Sequence, residues 1–209
     1  IKDTIKVMGG EDWELWIEQL MKRDLLAQGF ITTNYTYIGS EVTWPIYNQG
    51  TIGRAKEDLE RAARAISQKS SKKEGAAYLA VMKGLVTQAA SAIPGMSVYL
   101  SLLFKIMKDK NLHEGCIEQA YRLFSEELYS GANINIDQSG RIRLDTYELL
   151  KEVQEYVSEN WSNFNIDTMD RIADFEGYRK DFMQIYGFDF ENVDYDKEVS
   201  PDSEMTLYP

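Results

Sequence analysis

The sequence has one cysteine and one histidine in 209 residues. A lone cysteine, Cys116, rules out an internal disulfide framework and fits a reducing cytoplasmic setting better than secretion. With only His113 beside it there are no ligands at zinc-binding spacing, so His113 reads as a helix N-cap or a loop-packing residue. Long hydrophobic runs are also missing. The most apolar stretch, Val98 to Met107, falls far short of the roughly 20 residues a bilayer-crossing helix needs, and no signal peptide is seen. No G-x-G-x-x-G follows a strand, and the chain opens on Ile1 rather than methionine; both point to a fragment without a complete dinucleotide-binding unit. Positive charge is scarce. The net charge is −11, and from Asp189 onward seven acids face only Lys197, so over half of the excess lies in the tail. Such a balance argues against nucleic acid or an anionic membrane as partner. A small anionic ligand needs local positive groups to hold it.

What is present fills a proper core. Hydrophobic residues make up 44% of the chain, enough for one large domain or a domain with an appendage. Helical periodicity predicts a helix from Gly10 to Gln28, with Trp13, Trp16, Ile17 and Leu20 on a core-packing stripe. Phe30 to Ile38 alternates and reads as a strand, with Tyr37 at its carboxyl end, where open α/β sheets place ligands. A long helix is predicted from Thr51 to about Lys73, burying Leu59, Ala62, Ala63 and Ile66, and a buried parallel strand from Ala76 to Thr87. Met96 to Lys108 is a helix with an apolar surface wide enough either to face both core and apolar ligand or to be wholly packed. Further helices are expected over Glu118 to Tyr129, Tyr147 to Trp161 and Phe175 to Tyr186, with the acidic remainder pinned by Phe188, Phe190 and Tyr195. Asn133 to Gly140 resembles a calcium loop, but Thr146 stands where a bidentate glutamate is needed, which argues against calcium.

The sharpest local signal is Tyr47-Asn48-Gln49-Gly50-Thr51-Ile52-Gly53-Arg54-Ala55-Lys56. On one continuous helix, nine steps of about 100° put Tyr47 and Lys56 on opposite faces, roughly 13 Å apart along the axis. They converge only if Gly50 and Gly53 break the helix, and Pro45 argues against a helix running into Tyr47. The expected picture is a loop presenting the Tyr47 hydroxyl, then a helix carrying Lys56 in its first turn. An ammonium beside a phenol lowers the phenol's pKa, which would make Tyr47 a proton donor or oxyanion stabiliser near neutral pH. A surface turn with an exposed tyrosine and a solvated lysine has the same spacing.

Several stretches resemble one family, in order along essentially the whole chain: Val7-Met8-Gly9-Gly10-Glu11-Asp12-Trp13-Glu14-Leu15-Trp16, Tyr35-Thr36-Tyr37-Ile38-Gly39, the Tyr47 to Lys56 segment, Leu85-Val86-Thr87-Gln88-Ala89, and His113-Glu114-Gly115-Cys116-Ile117-Glu118-Gln119. Together they are similar to the NADH-dependent trans-2-enoyl-CoA reductases, a family that includes enoyl-acyl-carrier-protein reductases. The resemblance implies an α/β, enlarged Rossmann-type, short-chain-dehydrogenase-like fold, with this chain as its helix-rich C-terminal half. It divides into a catalytic and substrate-binding part at 1–129, a helical region at 130–195 whose family label is flavin-binding, and an acidic tail at 196–209. The residues of that helical region show no flavin site of their own. By the same resemblance, Tyr47 and Lys56 are catalytic, with Lys56 also holding the nicotinamide ribose. Leu85, Val86 and Thr87 line the cofactor, Tyr37 contacts the thioester, and helix 96–108 borders the acyl channel.

The implied reaction is hydride transfer from NADH to the β-carbon of an enoyl thioester, carried on coenzyme A or acyl carrier protein, in fatty acid metabolism. NADPH stays open, because the ribose-discriminating residue normally follows a second strand outside this sequence. A cytoplasmic monomer is expected, with no nucleic-acid or membrane partner, and the fragment alone is expected to be inactive. The tail and the absent phosphate loop leave one alternative, a non-catalytic acidic helical interaction module.

Overall fold

The computed structural model describes residues 1–131 and 133–200. The end of the predicted acidic tail, with Asp202 and Glu204, lies outside the described residues.

The chain starts with two short helices, α1 (Lys2–Met8) and α2 (Glu11–Lys22), joined at Gly9-Gly10. A Cβ on Gly10 would meet the Ala62 methyl at 2.1 Å, so the corner between α1 and α2 sits on the next long helix only because glycine is there. The Gly10 N–H donates to Asp58 Oδ2 at 2.9 Å and fixes that approach. Helix α2 stops six residues before Gln28, because Asp24 takes a left-handed φ of 52° and Lys73 ties the turn to Asp24 at 2.6 Å and to the Leu26 carbonyl at 2.9 Å. Only part of its stripe is core: Trp13 and Ile17 are buried, whereas Trp16 is 69% exposed because no described element covers that face.

Strand β1 (Ile31–Thr36) leads through a one-turn helix, α3 (Trp44–Tyr47), into α4 (Thr51–Lys69), a 3-10 turn at Ser71–Lys73 and strand β2 (Ala76–Val81). Leu59, Ala62, Ala63 and Ile66 of α4 are buried, as the spacing predicts, and pack with Trp13, Ile17 and Leu79. β2 is six residues shorter than expected: beyond Val81 the chain leaves the ladder, and Lys83 N–H donates instead to the Gln119 side chain at 3.1 Å. α5 (Gln88–Ser91) follows, N-capped by Thr87, whose hydroxyl accepts from Ala90 N–H.

α6 (Met96–Asp109) is the central helix. Met96, Tyr99, Leu100, Leu102, Leu103, Phe104 and Met107 are buried in one cluster, so the helix is packed nearly all round, the second of the two sequence readings. Each such side chain contributes about 1.5–3 kcal/mol of burial. α7 (Cys116–Arg122) is capped by Gly115 and continues as a π-helical turn, Leu123–Leu128. His113 does not cap it; its ring packs edge-on against Phe104 at 4.4 Å.

A strand not expected from sequence, β3 (Arg141–Arg143), then pairs with β2. α8 (Lys151–Trp161) begins four residues later than predicted, after a turn in which the Leu149 N–H donates to the Asp145 carbonyl. α9 (Met169–Ile172) and α10 (Phe175–Ile185) complete the described elements. Tyr195 pins the segment after α10, bonding to the Gly187 carbonyl and the Phe190 N–H at 3.0 Å each.

The sheet is parallel in the order β1-β2-β3, with Ile31 opposite Ala76 and Leu79 opposite Arg141. α6 packs against both α8 and α10. The region after residue 130 thus shares the sheet and the main core with the region before it.

Candidate active site

Every candidate side chain comes from a segment at the carboxyl end of a strand, the position where open parallel sheets build sites. After β1 the chain turns at Gly39, whose φ of +73° is left-handed and whose Cβ would meet Thr43 Oγ1 at 2.1 Å. The Thr43 hydroxyl accepts from Ser40 N–H and donates to the Ser40 carbonyl, both at 3.0 Å, which starts α3. Pro45 sits in the first turn of α3, where a missing N–H costs nothing. Tyr47 is therefore the last residue of a helix, not part of a loop as expected; proline initiates that helix instead of preventing it.

Gly50 caps α4 in an extended conformation and breaks the helix as expected. Gly53 does something else. It lies inside α4, where a Cβ would come within 2.0 Å of the Asn48 carbonyl oxygen, so it permits close packing of α4 on the residue after Tyr47. Lys56 stands in the second turn of α4, not the first. Its Nζ lies 4.6 Å from the centroid of the Tyr47 ring and 5.6 Å from that of Tyr37. The two tyrosine rings meet edge to face at 90°, with centroids 4.8 Å apart. Tyr37, Tyr47 and Lys56 are thus brought together, and Tyr47 and Lys56 line a cavity of about 520 Å³ with Gly39, Asn48, Arg141 and Gln154. Leu85, Val86 and Thr87 do not line this cavity; Val86 joins the apolar cluster that holds Tyr47, and Thr87 is exposed as the cap of α5.

The electrostatics reverse one expectation. Burial and the negative Glu148 push the Tyr47 hydroxyl up to about 12, whereas a lowered value was anticipated from Lys56. The ammonium lies over the ring and is itself desolvated, down to about 8. Among the described residues Lys56 Nζ has no hydrogen-bond partner, a buried donor free for a ligand hydroxyl.

Sequence reasoning missed the group behind these tyrosines. Glu148 is fully buried, and its carboxylate accepts from Tyr37 O–H at 2.8 Å, Tyr99 O–H at 2.6 Å and Gly84 N–H at 2.5 Å. Gln154 donates to the Glu148 carbonyl at 2.6 Å. Burial raises the Glu148 pKa, with the three donors working against that rise. Nearby Lys83, 1% exposed, donates to the Gly84 carbonyl at 2.9 Å and is lowered to about 8 by burial. The only signal in the sequence is an acid set between Tyr147 and Leu149, and a lysine inside an apolar run.

The His113 to Gln119 stretch proves structural. Gln119 accepts from Lys83 N–H and donates to the Leu144 carbonyl at 3.3 Å, and Arg122 makes two 2.8 Å bonds to Glu114. Burial lowers His113 to about 4, so its ring is neutral. In the calcium-like loop, Asp137 accepts from Ser139 N–H, Arg141 N–H and Arg141 Nε at 2.9–3.0 Å. That carboxylate is committed to the turn and to arginine.

Two family models match the chain, the trans-2-enoyl-CoA reductase catalytic region over residues 1–129 and the enoyl reductase FAD binding domain over residues 136–199. The chain is 49% identical over 207 residues to an enoyl-[acyl-carrier-protein] reductase [NADH] of Saccharophagus degradans, covering 99% of this chain and 52% of that protein. It is also 49% identical over 199 residues to a trans-2-enoyl-CoA reductase [NADH] of Ruminiclostridium cellulolyticum, covering 95% of this chain and 50% of that one. A crystal structure of the Clostridium acetobutulicum trans-2-enoyl-CoA reductase in complex with NADH superposes with a TM-score of 0.92 at 45% identity, covering 95% of this chain and 50% of that one. The Treponema denticola enzyme in complex with NAD gives 0.88 at 46% identity, covering 93% and 49%. The chain spans about half the length of the relatives it matches. The parallel sheet and flanking helices are accordingly part of a Rossmann-like α/β fold, and the chain belongs to the trans-2-enoyl-CoA reductase family.

Proposed function

We propose that this chain supplies the proton-donor half of an NADH-dependent reductase acting on the trans-2 double bond of enoyl thioesters. The observation that carries the reading is the convergence of Tyr47 and the unpartnered Lys56 Nζ at one cavity, with the Tyr37 ring packed edge-on against Tyr47. Catalytic roles fall to Tyr47 and Lys56, with Tyr37 at the thioester.

A nicotinamide dinucleotide fits Lys56 Nζ, an orphaned donor suited to ribose hydroxyls; Leu85 to Thr87 follow the carboxyl end of β2 outside the Tyr47 cavity, and their contact with the cofactor is part of the proposal. When bound, NADH supplies the hydride for the β-carbon of the substrate. This chain's own work is at the other end of the double bond. As negative charge builds on the thioester oxygen, the Tyr47 hydroxyl donates to it and delivers the proton. A pKa near 12 keeps that hydroxyl protonated at neutral pH, which is the form a donor needs. Lys56 adds positive charge beside it below about pH 8.

A flavin does not fit the described residues of 136–199. Arg141 and Arg143 are engaged by Glu60, Asp137 and Asp145, and Val153, Val157 and Tyr178 of α8 and α10 are buried in the core. No step is derived through a flavin.

The acyl carrier, coenzyme A or acyl carrier protein, and the choice of NADH over NADPH belong to the same proposal. The test is NADH oxidation by a full-length protein carrying this chain, with crotonyl-CoA and with an enoyl-acyl carrier protein, and with NADPH in parallel. Oxidation of NADH dependent on either thioester supports the reading, and none with either overturns it. An acidic interaction module predicts no oxidation.

A further inference from the structure

We infer that Glu148 is a positioning residue for the proton donor, its buried carboxylate locking the Tyr37 hydroxyl and thereby the ring edge that holds Tyr47 under Lys56. The inference rests on the proposed reductase reading.

Three donors from three separate segments end on this one carboxylate. Tyr37 follows β1, Gly84 follows β2 and Tyr99 belongs to α6. The Ser40 hydroxyl donates to Tyr99 O–H at 3.1 Å, which adds the turn before α3 to the same set. Tyr37 is thus held at both ends: its hydroxyl by Glu148 and its ring by the 4.8 Å perpendicular contact with Tyr47. A buried carboxylate is costly, and neutral residues of similar volume fill cores more cheaply. Here it gathers the carboxyl ends of two parallel strands, β1 and β2, where the fold builds its site. Its acceptor capacity is matched to the three donors, whereas a glutamine would turn an N–H₂ toward one of them.

Glu148 does not itself line the cavity or bond Lys56 Nζ; its carboxylate reaches the Tyr47 ring through Tyr37, while its backbone carbonyl accepts from the cavity-lining Gln154 and its charge adds to the field at the Tyr47 hydroxyl. A misplaced donor hydroxyl slows proton delivery more than it weakens substrate binding. A carboxylate that served only the fold would, when replaced, lower the amount of active protein and leave the kinetic constants of the folded fraction alone.

The experiment compares Glu148→Gln, Tyr99→Phe and Tyr47→Phe with the parent, in a full-length protein carrying this chain, using crotonyl-CoA and NADH after active-site titration. For Glu148→Gln the expected result is a fall in kcat of about tenfold or more with the thioester KM within about threefold, as for a lost transition-state interaction. The solvent deuterium isotope effect on kcat is expected to rise, because proton delivery becomes slower. An unchanged kcat per active site, or a fall without change in the isotope effect, overturns the inference. Should Glu148→Gln not fold, Tyr99→Phe decides, since it removes one donor and leaves the carboxylate in place. A fall in kcat of about threefold with a raised isotope effect supports positioning, and an unchanged kcat refutes it. If Tyr47→Phe retains full turnover, Tyr47 is not the proton donor, and this inference falls with that role. If Tyr47→Phe is inactive while Glu148→Gln is normal, only the inference fails.

Discussion

Lys56 Nζ lies 4.6 Å above the centroid of the Tyr47 ring, buried and with no hydrogen-bond partner among the described residues. A lysine in that state is a cost to the fold and an asset to a ligand. Burial lowers it to about 8, so the folded protein binds fewer protons than the unfolded chain between about pH 8 and the ordinary lysine value. The penalty is fully present below about pH 8 and disappears as pH rises to about 10.4. Lys56→Met is therefore expected to raise the melting temperature at pH 7, at about 2–4 °C per kcal/mol recovered, with the gain shrinking toward pH 10. It is expected to lower turnover at the same time. Thermal melts at both pH values check the sign, and an unchanged or lowered melting temperature at pH 7 contradicts it.

The same group is predicted to set a pH limit on the proposed activity. With Lys56 protonated below about pH 8, kcat/KM for the thioester in a full-length protein is expected to decline as pH rises through that value. The decline should be absent from the residual activity of Lys56→Met. A profile identical in the two proteins assigns the limb to another group.

Gly53 is predicted to be intolerant of even one methyl. The Cβ of alanine would stand 2.0 Å from the Asn48 carbonyl oxygen and 2.7 Å from its carbon, both backbone atoms that yield only if α3 and α4 move apart. That movement separates Tyr47 from Lys56, and a displacement of about 1 Å costs about a hundredfold in rate. Gly53→Ala is expected to show that loss in kcat/KM, and parent-like kinetics would refute the packing argument.

Gln119 is expected to matter for stability. It receives the Lys83 N–H left over where β2 ends early, so Gln119→Leu buries an unsatisfied donor at a cost of about 1–3 kcal/mol. Urea unfolding is expected to show a lower midpoint with unchanged slope. An unchanged midpoint would mean that another group or water satisfies Lys83 N–H.

Much of this fold was legible because its signals are local. The buried face of α4 and the continuous apolar run of β2 follow from periodicity, and the convergence of Tyr47 and Lys56 from the glycines between them. What was illegible depends on contacts between distant residues. Tyr37 and Glu148 are 111 positions apart, and an acid between Tyr147 and Leu149 does not by itself show which partners bury it. The direction of the Tyr47 shift was hidden in the same way, since it comes first from burial of the hydroxyl and second from the Glu148 charge, whereas only the lysine was visible in sequence. β3 escaped because Arg141-Ile142-Arg143 is short and mostly charged; its arginines are accommodated by Glu60, Asp137 and Asp145. The one-turn α3 was misread because a proline stops a helix in its interior but starts one in its first turn.

The central claim is that the Tyr47 hydroxyl delivers the proton, and steady-state turnover of Tyr47→Phe with crotonyl-CoA and NADH, in a full-length protein carrying this chain, tests it most directly. The account predicts a loss in kcat of about 10²–10⁴-fold, the range for a lost proton donor, with the fold intact by circular dichroism. Turnover within about twofold of the parent would contradict it.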